Sequence, residues 1–559
     1  MVEKKQSDDI NIDDSEIITT TKNNKDEGKI TQKKKKKEQH LLICTTKCRY
    51  VVVKKAARQL GFKKIDDETA DWDIYWCDTG GITPEQLSKM QPYQRINHYP
   101  GMYQLARKNN LCRNLMRMAR IFKQDYNIFP KTWQLPSEMT DFKSQFTNKK
   151  KAKTFIVKPV HLCQGKGIFL VRKFEDVDLK QGEQYVAQRY MHKPYLIDGL
   201  KFDLRVYALV YGVDPLRVFV FQEGLARFAT EEYVGPTNAN LDNLFMHLTN
   251  YAINKNSENF VFNEDQDDDS SGHKRSLTAV LDHIRENEPD FDVDNLWTQI
   301  QDIIAKTMIS VQPSLQHAYR SCQPEDLENS MCFEILGFDI LIDEKLRPYV
   351  LEVNHCSSYG TDSPLDKKIK FDLMSDTFKL LNLSIKRKQQ LKKEKAEQFN
   401  RRVLGEKGLD KFQKEQLRKQ NQKERDEFDL DNLGQFKQVY PVLEDPQKAA
   451  KFDQFLEQAR MIWSEFTGGV KQSGNIQPSQ NAQNVKIQNN SNTNRARTDP
   501  QGVKQKAQFL QNAYHKQSQN LLQSNPAPKS QVSTNVTTAS DQNKIFVKRN
   551  TTTNSNPQN

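Results

Sequence analysis

Acidic and amide side chains recur at a regular spacing in one apolar stretch of the chain. The stretch CFEILGFDILIDEKLRPYVLEVNH has two β-rich runs around a turn-forming segment, which predicts a β-hairpin centred between Lys345 and Leu346. In that register Asp339 lies opposite Glu352, and Asn354 projects from the same face two residues later. The sequence therefore predicts two carboxylates and an amide oxygen at one place on a sheet.

This acidic group predicts a magnesium site. Like charges that face each other in an apolar hairpin destabilise it unless a cation lies between them, and a set of oxygen ligands suits Mg²⁺ carrying nucleotide phosphates. One carboxylate alone would more often pair with a lysine at a wet end of the sheet. The combination of Asp339, Glu352 and Asn354 favours the metal.

A second stretch, KTFIVKPVHLCQGKGIFLVRKF, places a glycine-containing loop between two β-rich runs. Gly165 and Gly167 would let backbone N–H groups approach phosphate oxygens, and Lys158 and Lys166 add cations at either end. The loop lacks the GxxxxGK[ST] and GxGxxG patterns, and an ordinary hairpin turn explains Gly-Lys-Gly about as well. Both interpretations stay open on these residues alone.

Basic side chains on two further predicted strands could bind anions. In DGLKFDLRVYALVYG, Lys201, Asp203 and Arg205 alternate with apolar residues, so one strand face is charged and the other apolar. That face could hold phosphates or simply be exposed to solvent. In EGLARFATEEY, Arg227 comes just beyond another predicted strand, where it could pair with a small carboxylate.

The composition narrows the class of protein and of partner. The 559 residues carry a net charge of +12 with 36% hydrophobic residues, which indicates an acidic partner: nucleic acid, an anionic membrane or an acidic protein tail. Eight cysteines without a CxxC spacing favour neither a zinc site nor a disulfide framework. No apolar run suits a signal peptide or a membrane span, so we expect a cytosolic protein.

Shifts in composition predict the elements that position these residues. Residues 386–425 hold 15 Lys and Arg against 6 Asp and Glu, few glycines and no proline, which favours basic helices. An acidic stretch at 259–275 predicts a loop within the folded part. The predicted organisation is a disordered segment at 1–39, a small α/β domain at 40–95, a folded core at 96–385, a basic helical extension at 386–467 and a disordered tail at 468–559.

Seven motifs occur in one order along the chain: INHYPGM, FIVKPVHLCQGKGIFL, DGLKFDLRVY, EGLARFAT, HLTNYAINK, FEILGFDILID and LEVNH. Together they resemble the tubulin tyrosine ligase-like family over about residues 95–383. The resemblance implies an α/β (α+β) protein with an ATP-grasp fold, in which ATP lies between two sheets and an acyl phosphate forms. It also implies an ATP-dependent protein-glutamate ligase that uses ATP and two Mg²⁺ ions.

The resemblance assigns a role to each matching residue. For ATP it implies Lys158, Lys166, Gly167, Gln188, Arg189, Tyr190, Met191, Lys201, Phe202, Asp203, Thr249 and Asn250. For the metal it implies Asp339, Glu352 and Asn354, the trio that the hairpin register predicts. For the incoming L-glutamate it implies Arg227, Tyr251 and Lys274, and for the acceptor peptide Gln164, Lys166 and His355. The residues expected to act in catalysis are Lys158, Lys166, Arg205 and Arg227.

The spellings CQGKG and EVNH resemble the branch of the family that elongates polyglutamate chains on tubulin. The basic stretch at 386–425 is similar to the segment that such enzymes use to hold microtubules. The resemblance implies a monomer in the cytoplasm and cytoskeleton, at the cilium, axoneme or basal body, with tubulin tails and free L-glutamate as partners rather than membrane or nucleic acid. The alternatives are a glycine ligase of the same family, or a microtubule- or nucleic-acid-binding protein with a degenerate ATP site.

Overall fold

A computed structural model describes residues 39–80, 82–147, 153–263, 265, 268–406 and 408–468. The segments predicted to be disordered, 1–39 and 468–559, lie outside these residues except for Gln39 and Gly468. The described residues from Leu41 onward belong to one unit.

A parallel sheet forms the N-terminal part, in the strand order β2-β1-β3-β4. The elements are β1 (Leu42–Lys47), α1 (Val51–Gln59), β2 (Lys63–Ile65), β3 (Ile74–Cys77), α2 (Pro84–Lys89) and β4 (Arg95–Ile96). The α/β character predicted for residues 40–95 is confirmed here. Val52, Val53 and Ala56 form the buried side of α1, so this helix packs by an apolar stripe of helical spacing.

A second sheet, antiparallel, has the order β5-β8-β6-β7. The elements are α3 (Tyr103–Ala106), α4 (Lys108–Ile121), β5 (Thr132–Leu135), α5 (Met139–Ser144), β6 (Phe155–Pro159), β7 (Phe169–Val171) and β8 (Tyr185–Arg189). Its core is aromatic, with Trp133, Phe142 and Phe155 in mutual contact. The glycine-containing loop joins β6 to β7, as predicted.

The largest sheet is antiparallel and has the order β12-β11-β10-β13-β14. Its strands are β9 (Leu196–Ile197), β10 (Leu200–Val213), β11 (Leu216–Glu232), β12 (Lys274–Ser276), β13 (Glu334–Ile342), β14 (Pro348–Asn354) and β15 (Phe436–Tyr440), with β9 on β10 and β15 on β11. The helices between them are α6 (Leu244–His247), α7 (Tyr251–Asn254), α8 (Leu277–Asn287), α9 (Val293–Cys322) and α10 (Pro364–Leu380).

Side-chain alternation along β10 decides what each face of this sheet does. Even-numbered residues such as Leu204 and Val206 belong to the core that includes α9. Odd-numbered Tyr207, Leu209 and Tyr211 belong to the core that includes α1 and α10. Because the odd face continues towards the start of β10, the charged positions predicted on that strand lie where this face emerges from beneath α10.

The β13–β14 hairpin has the predicted register at its functional end only. Asp339 pairs with Glu352, as predicted, but the register shifts before Ile340, which pairs with Val350. Leu351 is thus an extra residue, a β-bulge. The predicted pairing near the turn is wrong by one residue because the carboxylate of Asp343 accepts backbone N–H bonds within the turn and tightens it.

The predicted basic helices are confirmed as α11 (Ile385–Val403) and α12 (Lys411–Asp431). The following residues return to the body of the protein: β15 joins the large sheet, and α13 (Pro446–Phe466) buries Phe452 and Phe455 in the core shared with α9. Across the part of the chain that the structure describes, no helix is long and apolar enough to cross a bilayer.

Candidate active site

A cleft lies between the second sheet and the large sheet. Twelve of the predicted site residues line it: Lys158, Gln164, Gln188, Arg189, Tyr190, Met191, Lys201, Asp203, Thr249, Asn250, Asp339 and Glu352.

A row of charged side chains crosses the floor of this region over five adjacent strands. Cross-strand neighbours on β14, β13, β10, β11 and β12 form the pairs Glu352–Asp339, Asp339–Arg205, Asp203–Arg227 and Arg227–Lys274. Neighbouring side chains on one sheet face interact directly. The row therefore brings predicted metal, nucleotide and amino-acid positions together.

Asp339 is the most strongly paired carboxylate of the row. Its Oδ1 lies 2.6 Å from Nε of Arg205, and its Oδ2 lies 2.8 Å from Nη2 of Arg227. Burial alone would raise the pKa of Asp339, but these two guanidinium groups outweigh it and hold the pKa well below its usual range. Asp339 is thus ionised at any physiological pH.

Glu352 lies in the opposite electrostatic situation. Burial raises the pKa of its carboxyl, and the negative charge of the neighbouring Asp339 raises it further. Asn354 reaches both acids, with Nδ2 3.3 Å from Oε1 of Glu352 and 3.5 Å from Oδ2 of Asp339. A cation at this point would relieve the repulsion between the acids, so the donor set fits Mg²⁺.

The amide of Asn354 is essential to that fit. Among the described residues, no group of three or more His, Cys, Asp or Glu side chains is placed to hold a metal. Asp339 and Glu352 are only two, and a half-turn of the Asn354 amide would present its oxygen as the third ligand. A set of one amide and two carboxylate oxygens favours a hard cation over zinc.

Two buried lysines line the nucleotide side of the cleft. Lys158 donates from Nζ to Oε1 of Gln188 at 3.0 Å, and Lys201 donates to the His247 carbonyl at 2.7 Å and to the Tyr190 hydroxyl at 3.1 Å. Burial lowers the pKa of Lys158 to about 8 and that of Lys201 to about 7. An anion bound beside them would restore their full charge.

The glycine-containing loop lies over one side of the cleft. Gly165 has φ +78° and its Cα faces Ile253, so a side chain there would meet both strain and a collision. Lys108, at the start of α4, donates to the Leu162 carbonyl at 2.7 Å and ties the loop to the body. The loop contributes Gln164 and Gly165 to the lining, whereas the side chain of Lys166 is exposed and neither Lys166 nor Gly167 lines the cleft.

Two predicted positions require correction. Phe202 does not line the cleft: it lies on the even-numbered face of β10, where its ring stacks on Phe228 at 5.2 Å between centroids. The alternation that exposes Lys201 and Asp203 to the cleft turns Phe202 into the core. Arg227 lies inside β11 rather than beyond it, and for that reason reaches Asp203 through Nε at 2.9 Å.

The remaining predicted residues lie around the cleft without lining it. Tyr251 and Lys274 form a separate group beside Arg227, with Nζ of Lys274 4.0 Å from the Tyr251 ring centroid. His355 follows Asn354 and lies near His98, with 6.5 Å between ring centroids. The acceptor role of His355 stays a prediction.

Sequence reasoning missed two polar residues in the lining, Lys108 and His247. His247 shares a hydrogen bond of 2.8 Å between Nδ1 and the Tyr190 hydroxyl, and burial lowers its pKa to about 4, so it is neutral. The only available signal was its place in the motif HLTNY. Lys108 carried no signal in the sequence, because it reaches the cleft from α4.

Known relatives have a related sequence over most of this chain. A probable beta-tubulin polyglutamylase of Tetrahymena thermophila is 47% identical over 425 residues, 75% of this chain and 35% of that protein. The mouse tubulin polyglutamylase TTLL6 is 43% identical over 418 residues, 74% of this chain and 48% of that protein. The mouse tubulin polyglutamylase TTLL7 is 38% identical over 449 residues, 75% and 48% respectively. The chain thus spans about a third to a half of the length of these relatives.

The model of the tubulin-tyrosine ligase family matches residues 86–391, a range that contains the second sheet, the large sheet apart from β15, and the cleft. The predicted ATP-grasp fold is confirmed by this match and by the mixed α/β architecture. Enzymes of this family are ATP-dependent ligases, which implies ATP and Mg²⁺ in general terms. Because the match covers more than half of the sequence, the chain belongs to the tubulin-tyrosine ligase family.

Proposed function

We propose that this protein ligates free L-glutamate to glutamate side chains, or to glutamate chains already on them, in the acidic C-terminal tails of tubulin, and that it elongates such chains. The observation that carries the proposal is the row of charges from Glu352 to Lys274. One end of this row has the two carboxylates that fit Mg²⁺, and the other end has the side chains of Arg227 and Lys274. The names of the related tubulin polyglutamylases support the choice of donor and acceptor.

The reaction would proceed through an acyl phosphate. An oxygen of the acceptor carboxylate attacks the γ-phosphorus of ATP, the bond to the bridging oxygen breaks, and ADP leaves. The amino nitrogen of free glutamate then attacks the acyl carbon, inorganic phosphate leaves, and the nitrogen loses a proton as the amide forms. Positioning and charge stabilisation supply the catalysis, so no covalent enzyme intermediate is required.

The nucleotide and its metal ions would be held by one end of the row, by the opposite wall of the cleft and by the glycine-containing loop. Asp339, Glu352 and Asn354 would hold two Mg²⁺ ions, which offset phosphate charge when bound. Lys158 and Lys201 would contact the nucleotide from the opposite wall, where the bound anion favours their protonated forms. The glycine-containing loop would cover the phosphates by its backbone.

The two arginines of the row each have guanidinium nitrogen atoms that form no hydrogen bond with the described residues. Within the described residues, Arg205 uses Nε for Asp339, and no hydrogen bond involves its two terminal nitrogens. Arg227 uses Nε and Nη2 for Asp203 and Asp339, which leaves Nη1. We assign Arg205 to the reacting phosphoryl group and Arg227 to a carboxylate of the incoming glutamate, because N–H groups fixed by ion pairs need no reordering on binding.

Incorporation of radiolabelled amino acids into microtubules tests the proposal. With Mg·ATP we expect glutamate to be incorporated and glycine and tyrosine not to be. Glycine incorporation would instead support the glycine ligase alternative. No incorporation of any amino acid, with microtubule binding retained, would support a binding protein with a degenerate ATP site, and retention on DNA without tubulin would identify a nucleic-acid-binding protein.

The basic helices present two different faces. Inward, Arg387, Lys388, Lys392 and Lys414 pair with Glu328, Asp73, Asp71 and Glu325 of the body at 2.6–3.0 Å. Outward, Arg401 and Arg402 lie at the exposed end of α11. We propose that only the outward charge docks on the acidic microtubule surface, whereas the inward pairs fix the helices to the body.

Reversing outward charge should therefore weaken microtubule binding. For Arg401→Glu with Arg402→Glu we expect the Kd from co-sedimentation to rise about tenfold, equivalent to about 1.4 kcal/mol, and the loss to shrink as salt screens the wild-type attraction. Lys63→Glu with Lys64→Glu makes the same change in charge on exposed β2 and should leave the Kd within about twofold. Equal losses in both variants would show a response to net charge alone.

Location at the cytoskeleton, including cilium, axoneme or basal body, belongs to the same proposal.

A further inference from the structure

The row of charges continues beyond the sheet onto α10. Lys274, the cross-strand neighbour of Arg227, has its Nζ 2.6 Å from Oδ2 of Asp366. The other oxygen of Asp366, Oδ1, lies 2.7 Å from Nζ of Lys370, one helical turn further along α10. One carboxylate is thus held between two ammonium groups.

This group, Lys274, Asp366 and Lys370, is called the α10 ion cluster below. Asp366 is 1% exposed and Lys370 6% exposed, a depth at which an ion is stable only when it is paired. Two cations against one anion leave the cluster with an excess positive charge. The next carboxylate, Asp362, is exposed and accepts a hydrogen bond from Tyr251 at 3.3 Å, so solvent screens its contribution.

Lys274 is held from two sides but is not fully neutralised. Its Nζ lies 4.0 Å from the ring centroid of Tyr251, a cation–π contact, and is paired on another side with Asp366. Burial nevertheless lowers the pKa of Lys274 despite that carboxylate. A second anion beside Lys274 would therefore be bound favourably.

The geometry matches the charge of one class of donor. Glutamate brings two carboxylates, whereas glycine and tyrosine bring one. Among the described residues, no hydrogen bond involves Nη1 of Arg227, which can therefore contact a carboxylate. The α10 ion cluster lies next to Arg227 across the β11–β12 ladder. A donor with a single carboxylate would leave the excess charge of the cluster without a partner, a cost that disfavours it.

We propose that Asp366, kept ionised by Lys370, is the positioning residue that holds Lys274 for the side-chain carboxylate of a dicarboxylic donor, and that it thereby sets the preference for glutamate over glycine. This inference rests on the proposed function. Asp366 does not touch the donor; it acts by fixing where the Lys274 ammonium group lies.

Asp366→Asn tests the inference, because it keeps the size of the side chain and removes its charge. We expect the KM for glutamate to rise about tenfold, with kcat and the KM for ATP within about twofold. Although the positive charge of the cluster grows, the Lys274 ammonium group loses the carboxylate that fixes its position. The ratio of glutamate to glycine incorporation should fall about tenfold. If this variant does not fold, Lys370→Met replaces it: loss of the excess charge should raise the KM for glutamate in the same way and leave kcat within about twofold.

Asp376→Asn is the matched control on the same helix. Asp376 is buried, pairs with Lys379 at 2.9 Å and accepts from the backbone N–H of Gln435, so its loss should lower the melting temperature and leave the glutamate-to-glycine ratio unchanged. Asp366→Asn with unchanged KM and unchanged ratio would overturn the inference while wild-type glutamate transfer still stands. Absence of glutamate transfer by the wild-type protein would instead overturn the proposed function itself.

Discussion

Glu352→Gln should lower the rate of glutamate incorporation by at least about 100-fold, because it removes one of two charged oxygen ligands at the point where phosphate charge must be offset. The same substitution should not destabilise the protein without ligands. The pKa of Glu352 is raised in the folded state, so its ionised form is less favourable there than in the unfolded chain. The free energy of unfolding of the wild-type protein therefore falls as pH rises from the ordinary pKa of 4.5 through the raised pKa of Glu352. Glutamine does not ionise, so the variant does not lose this stability.

Thermal unfolding separates these two effects. At pH 7.5 the melting temperature of the wild-type protein should rise when Mg²⁺ and a non-hydrolysable ATP analogue are added together, by linkage of binding to folding. Glu352→Gln should start at an equal or higher melting temperature and show little of that rise. Glu344→Gln is the control, since Glu344 lies in the turn of the same hairpin and pairs with Lys193 at the surface. A full Mg²⁺-dependent rise in Glu352→Gln would remove Glu352 from the metal site.

The acid pair shows how far strand periodicity alone could predict the site. Alternation with period two places Glu352 and Asn354 on one face whatever the rest of the chain does, and hairpin register brings Asp339 opposite. The bulge at Leu351 lies between the site and the turn, so the register near the turn is wrong and the register at the site is right. The same rule, applied to β10, would have assigned Phe202 to the core.

Contacts between distant elements could not be predicted in this way. Lys274 and Asp366 are 92 residues apart, and they meet because α10 packs over one end of the large sheet. The basic helices show the same limit: composition predicted α11 and α12, but the pairing of Lys388 with Asp73 and of Lys414 with Glu325 depends on how those helices dock. Net charge therefore overestimated the charge left for a partner.

Arg227→Lys should lower kcat/KM for glutamate by about 100-fold, equivalent to about 2.7 kcal/mol. Lysine keeps the positive charge between Asp203 and Asp339, two buried carboxylates that Arg227 joins through Nε and Nη2. A single ammonium group lacks the planar fork of N–H donors with which a guanidinium group can contact both acids and a donor carboxylate. The measurement is initial-rate kinetics with labelled glutamate at saturating Mg·ATP, where we expect most of the loss in the KM for glutamate.

Arg217→Lys is the control that separates recognition from stability. Arg217 lies on the same strand, is 1% exposed and also joins two carboxylates, with Nη1 2.5 Å from Asp426 and Nη2 2.5 Å from Asp429. Replacing the guanidinium group of either arginine should destabilise the fold. Truncation of either side chain to alanine should lower the free energy of unfolding by about 3–5 kcal/mol, because buried carboxylates would be left unpaired. Only Arg227→Lys should change the KM for glutamate, because Arg217 fixes α12 to the far end of β11. If both variants lose activity in proportion to their loss of stability, Arg227 stabilises the sheet and does not bind the donor glutamate.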